Sequence, residues 1–145
     1  MAEPTTYHRG RIPDAFLDIF EKNSFAHVAT LDDDGWIHVN PVWVDHDDGE
    51  YVLINTRRGR VKDRNMRANP RVGISVTDPD NPYRYVAVRG HATLTTKGAA
   101  DHIDKLAGEY LDADRYPHHD EEAEPRVLVR IRAEHVITRE RSADR

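Results

Sequence analysis

Apolar positions along the chain change period several times, and each change marks an element. Ile12, Phe16, Ile19 and Phe20 recur at helical spacing, with Pro13 and Asp14 suited to a first turn, so residues 13–22 read as an amphipathic helix. From Phe25 the pattern shortens. Ala26–Leu31, Trp36–Val44 and Tyr51–Thr56 are apolar runs separated by Asp34-Gly35 and Asp48-Gly49, which predicts a three-stranded antiparallel meander. Pro41 cannot donate to a ladder and marks an edge or a bulge in the middle strand. Val61 to Asn69 carries Val61, Asn65 and Met66 on one helical face and stops at Pro70.

Strand periodicity then returns. Val72, Ile74 and Val76 alternate with Gly73, Ser75 and Thr77 up to a turn over residues 78–82, and a long strand from Tyr83 to about Thr95 follows. Ala100, Ile103, Leu106, Ala107, Tyr110 and Leu111 form one stripe of a second helix over residues 97–111. Residues 112–125 are polar and loop-like, and Val127–Ile131 with Val136–Thr138 close the chain as a strand or strand pair. The pattern is mainly β with flanking helices. About six antiparallel strands bury their edges most economically as a small closed or split barrel.

Composition narrows the chemistry. The 145 residues fit one domain, 1–145, with 38% apolar and 32% charged residues. Without cysteine there is no disulfide, thiolate metal site or cysteine nucleophile. A net charge of −5 argues against a general nucleic-acid binder, so any basic patch must be local. Neither a signal-like apolar run near the start nor a membrane-length apolar stretch is present, and a cytoplasmic protein with no membrane partner is the expectation.

The informative segment is Asn55-Thr56-Arg57-Arg58-Gly59-Arg60-Val61-Lys62-Asp63-Arg64-Asn65. A strand delivers the chain to a glycine turn, and the next helix opens with unsatisfied N–H groups and the positive end of its dipole. Arg60 and Lys62 fall on its first turn and Thr56 adds a hydroxyl, a set suited to a phosphate. The same residues could equally be a solvated basic face, since no glycine fingerprint of the dinucleotide or P-loop type accompanies them.

The stretches HVATLDDDGWIHVNPVWV (27–44), NTRRGRVKDRNMRANPRVGISV (55–76), DPDNPYRYVAVRGHATL (78–94) and RVLVRIRAEHV (126–136), taken in order, resemble the pyridoxamine-phosphate-oxidase-like, FMN-binding-like split barrels. The branch most similar is the F420-dependent one. The resemblance implies a six-stranded antiparallel split barrel that forms a homodimer with cofactor sites at the interface. It implies that Asn55, Thr56, Arg60 and Lys62 hold the phosphate end of the cofactor, with Arg57, Val61 and Asn65 also among the cofactor-binding residues, while the ring lies along Pro41, Val42 and Trp43. It also implies that the partner subunit supplies Tyr83, Arg84, Tyr85, Val86 and His135. Pyridoxamine phosphate oxidases carry a longer C-terminal portion than follows the last strand here, which weighs against vitamin B6 oxidation.

Other residues have plainer readings. Trp36 and Trp43 suit core or interface more than ring stacking, Trp43 being the better stacking candidate. The nine histidines show no metal-ligand spacing; His118-His119 reads as a solvated loop, and His102 is expected to be exposed. No metal site and no general acid are assigned. The expected function is an F420-dependent oxidoreductase passing hydride from reduced deazaflavin to a small conjugated acceptor. An FMN-dependent oxidoreductase of the same fold and a non-catalytic flavin or F420 carrier or sensor are the alternatives.

Overall fold

The computed structural model describes residues 5–141. Nine strands and four helical segments alternate: β1 (Thr5–Arg9), a 3-10 helix (Asp14–Glu21), β2 (Phe25–Leu31), β3 (Ile37–Trp43), β4 (Asp45–Asp47), β5 (Tyr51–Arg57), α1 (Val61–Ala68), β6 (Arg71–Asp78), β7 (Asn81–Thr95), α2 (Ala99–Leu111), a short 3-10 turn (His119–Glu121), β8 (Arg126–Arg132) and β9 (His135–Arg139). All pairings are antiparallel, in the order β3-β2-β6-β7-β8-β5-β4, with β9 joining β7 to β1.

The split arises in β7. Its first part pairs with β6 and β9, whereas Ala92–Thr95 pairs with β8, so one 15-residue strand serves two sheets. Gly90 sits at the bend. A Cβ there would lie 1.7 Å from the Arg132 carbonyl oxygen, so only glycine lets the two backbones pass. The core lies between the sheets. Inward residues alternate along β2 (Ala26, Val28), β5 (Val52, Ile54), β6 (Val72, Ile74, Val76), β7 (Val86, Val88) and β8 (Val127, Val129, Ile131), and Ile12, Ile19, Phe20 and Met66 pack among them.

Three expectations need correction. Residues 25–57 are not a three-stranded meander: among the described residues β3 pairs with β2 alone, and β5 pairs with β4 and β8 in the other part of the barrel. The chain leaves β3 and re-enters the fold through β4, so the Asp48-Gly49 turn closes a β4–β5 hairpin. The segment at 13–22 is a 3-10 helix over Asp14–Glu21, with Ile19 and Phe20 as its buried residues. On α2 the buried stripe is Ala99, His102, Ile103, Leu106 and Ala107, leaving Leu111 half exposed. β1 was not foreseen; TTYHR lacks an apolar alternation and is held by register with β9. Pro41 occupies an edge strand in regular register opposite His27, so it marks an edge and not a bulge. Among the described residues, no helix is long and apolar enough to cross a membrane.

Candidate functional site

The predicted basic segment folds as a strand, a turn and a helix. β5 ends at Arg57, Gly59 takes φ +90°, and α1 begins at Val61. Such a φ is easy only for glycine. The turn is closed from inside the helix: Gly59 N–H donates to Asp63 Oδ2 at 2.8 Å, while Arg67 Nε donates to the other oxygen at 3.0 Å. The Arg64 guanidinium also donates to the Gly59 carbonyl. Arg64 is the first residue of the helix whose amide reaches a helical carbonyl, that of Arg60 at 3.0 Å. The amides of Val61, Lys62 and Asp63 precede that bond, where helices lack internal acceptors.

A cavity of about 860 Å³ opens over this turn, lined by Arg57, Arg58, Arg60, Val61, Lys62 and Arg64 with His38 and Asn40 of β3 and Glu121 and Glu124 of the 112–125 loop. Five cations face two carboxylates in that lining. A narrower cleft of about 240 Å³ shares Asn40, Arg60 and Lys62 and continues along Pro41, Val42 and Trp43 to Asn55, Tyr116 and Arg126. Together these volumes suit a cofactor-sized ligand with a charged end and an apolar end.

Lys62 is the unusual group. Its residue is 6% exposed, and burial, with Arg60 and Arg126 nearby, pushes its ammonium down to about 8. No carboxylate lies within ion-pair distance of it among the described residues. Burial likewise lowers Arg126, whose guanidinium stacks 5.0 Å from the Tyr116 ring centre. Arg126 pairs with Glu122 at 3.0 Å, and Arg57 approaches the same carboxylate at 3.6 Å. Among the described residues, Asn40 Oδ1, His38 Nδ1 and Thr56 Oγ1 are buried without a hydrogen-bond partner. Unpaired cations converging on one cavity are costly unless an anionic ligand satisfies them.

The anticipated residues divide into three groups. Pro41, Val42, Trp43, Asn55, Arg57, Arg60, Val61 and Lys62 line these two connected cavities, whereas Thr56 alternates to the core face of β5, paired with the core residue Val127. Asn65 turns away, donating to Thr30 Oγ1 at 3.1 Å and Asp32 Oδ1 at 2.6 Å, so it braces α1 against β2. Tyr83, Arg84, Tyr85, Val86 and His135 lie elsewhere on the chain.

Within that last group strand alternation decides what each side chain can reach. Arg84 faces the 3-10 helix, bonding Asp18, Asp78 and the Ala15 carbonyl, and the Asp18 and Asp78 carboxylates hold its ionisation well above the ordinary range. Val86 is fully buried in the core, and its strand is paired on both sides there. Both side chains are thus engaged within their own chain. Tyr85 and His135 point to the open face instead, and Tyr83 is 43% exposed. Trp43 stacks on Tyr110 with ring centres 5.1 Å apart, so one face of its indole is taken by its own chain.

Arg126, Asn40, His38 and Tyr116 were missed. Arg126 stands directly opposite Arg57 in the β5–β8 register, a pairing between residues 69 positions apart that one sequence does not display. His102, expected to be exposed, is 8% exposed and lies between Asn55 and Asp45.

The chain is thus a split barrel with a cationic cavity at a strand-to-helix turn that leads into an aromatic-lined cleft. The chain belongs to the pyridoxamine 5'-phosphate oxidase family, whose model matches residues 12–140. A solved structure named F420 reductase is 33% identical over 86% of this chain and 98% of its own, with a TM-score of 0.74. A conserved hypothetical protein from Mycobacterium tuberculosis is 24% identical over 91% and 88% of the two chains, with a TM-score of 0.70. An FAD-binding protein from Mesorhizobium loti is 23% identical over 95% and 99%, with a TM-score of 0.67. A search of the curated proteins returned no match.

Proposed function

We propose that the chain is an F420-dependent oxidoreductase, one cofactor-binding domain that works as a homodimer and reduces a small conjugated acceptor. The observation that carries this reading is the buried Lys62 ammonium, which has no carboxylate partner among the described residues and converges with Arg60 and Arg126 on one cavity. A phosphate there restores what burial costs these cations. When bound, a flavin or deazaflavin supplies a ring that donates or accepts hydride. The chain's own part is anchoring and orientation: Lys62, Arg60 and Arg126 hold the phosphate, Asn40 offers an acceptor oxygen without a partner, and the Pro41–Trp43 edge supports the ring.

F420 is favoured over FMN by the 33% identical F420 reductase and by Arg57, Arg58 and Arg64, which suit a ligand with anionic groups beyond its phosphate. FMN remains the second reading, because the same turn serves its phosphate and an FAD-binding protein shares the fold. The dimer is supported by the open face of the sheet. Phe25, Ile37, Val39 and Tyr7 are 57%, 63%, 56% and 75% exposed, and register puts them on the face that also carries Pro41, Trp43, Tyr85 and His135. An uncovered apolar face of this kind favours association with a second copy.

The test is turnover with a panel of enones and quinones, using F420H2 or NADH with FMN. Reduction that depends on F420H2 is expected, and it should vanish in the Arg60→Ala/Lys62→Ala double variant. Cofactor binding without reduction of any acceptor would leave a carrier or sensor in place of an enzyme.

A further inference from the structure

Arg126 is held by a chain of hydrogen bonds that begins outside the cofactor cavities. Its Nε donates to Asn55 Oδ1 at 2.9 Å, and Asn55 Nδ2 donates to the Ala99 carbonyl at 2.9 Å. An arginine Nε only donates and a carbonyl only accepts, so these two contacts fix which end of the Asn55 amide is which. The second amide hydrogen goes to His102 Nδ1 at 3.1 Å. That nitrogen must accept, which places the ring proton on Nε2, 3.4 Å from Asp45 Oδ2. Asp45 is in turn bound by Lys105 at 2.8 Å and by the His46 amide at 2.9 Å. His102 and Asn55 are each 8% exposed, so water does not readily substitute for either contact.

We propose that His102 is a positioning residue for the phosphate site, acting through the Asn55 amide on the Arg126 guanidinium. Its Nδ1 acceptor helps to lock the amide with the oxygen towards Arg126; without that acceptor the amide loses one of the three contacts that oppose its rotation, and Arg126 loses a fixed partner. The consequence for binding rests on the phosphate reading above, whereas the positioning itself does not.

Two variants separate this role from simple packing. His102→Asn keeps an acceptor near the Nδ1 position, and His102→Gln places its amide near Nε2 and removes that acceptor. In nitrogen-15-labelled protein without cofactor, the Arg126 Nε–H resonance should exchange slowly in wild type and in His102→Asn, and fast in His102→Gln. FMN and F420 titrations should then give affinities within about twofold of wild type for His102→Asn and about tenfold weaker for His102→Gln, the size of one weakened hydrogen bond to a charged group. Slow exchange in both variants, or fast exchange in both, would overturn the inference. If His102→Gln does not fold, the Asn variant still decides, since fast exchange there contradicts the Nδ1 role. Wild-type protein that bound neither cofactor would sink the phosphate reading and leave the exchange result to judge His102.

Discussion

Replacing Lys62 by methionine should make the protein more stable and less able to hold a phosphate. The side chain is 6% exposed, and the fall of its ammonium from the ordinary 10.5 to about 8 amounts to about 3 kcal/mol of disfavoured charge. Methionine has similar length and carries no charge into that site. Substituting a buried charge with an apolar side chain of like volume is often stabilising by about 1–4 kcal/mol, and here no carboxylate among the described residues is left stranded. Lys62→Met should therefore raise Tm by roughly 3–10 °C at neutral pH, taking about 2–4 °C per kcal/mol for a chain of this size. The same change removes a charge-assisted bond, so FMN affinity should fall roughly 10–100-fold. Riboflavin, which lacks the phosphate, should bind both forms alike. Thermal unfolding together with the two titrations checks the trade. A variant less stable than wild type that still binds FMN at full strength would refute the argument.

Three further outcomes follow from the same geometry. Because the folded-state Lys62 value lies below the unfolded one, the unfolded chain holds more protons between about 8 and 10.5; wild-type stability should gain over that window relative to Lys62→Met, while FMN affinity falls as pH rises through about 8, both read by titration in a pH series. Glu122→Gln removes the carboxylate that occupies Arg126 and Arg57, so FMN should bind about 3–10-fold tighter by calorimetry while the ligand-free protein loses stability; unchanged affinity would show that Glu122 does not compete with the ligand. Gly90→Ala puts a methyl group 1.7 Å from the Arg132 carbonyl oxygen and should cost more than about 3 kcal/mol in denaturant unfolding, whereas a neutral effect would mean that the two strands can separate at the split.

What could be read from the sequence was whatever local pattern determines. The β6 alternation and the strand-to-turn-to-helix junction at 55–65 stand at the positions that period and turn chemistry predict, whereas α1 buries Lys62 and Asp63 with Asn65 and Met66 and leaves Val61 exposed. Illegible features depended on contacts between distant segments. β3 and β5 are neighbours in sequence but belong to different parts of the barrel, because β4 intervenes and β8 competes for β5 along its whole length. The burial of His102 is explained by Asn55 and Asp45, residues 47 and 57 positions away, whose polar atoms make a buried imidazole tolerable. Arg126 reads as one more charged residue in an alternating strand until register sets it across from Arg57. The α1 part of the candidate site was thus legible as a basic strand-to-helix turn, and the part carried by β8 and α2 was not.

The most direct test is parallel calorimetric titration of the wild-type protein with F420, FMN and riboflavin at pH 7. Tight binding of F420, weaker or comparable binding of FMN and much weaker binding of riboflavin are predicted, since the phosphate supplies the anchor at Lys62, Arg60 and Arg126. Riboflavin binding as tightly as FMN, or no binding of either phosphate-bearing cofactor, would contradict the account.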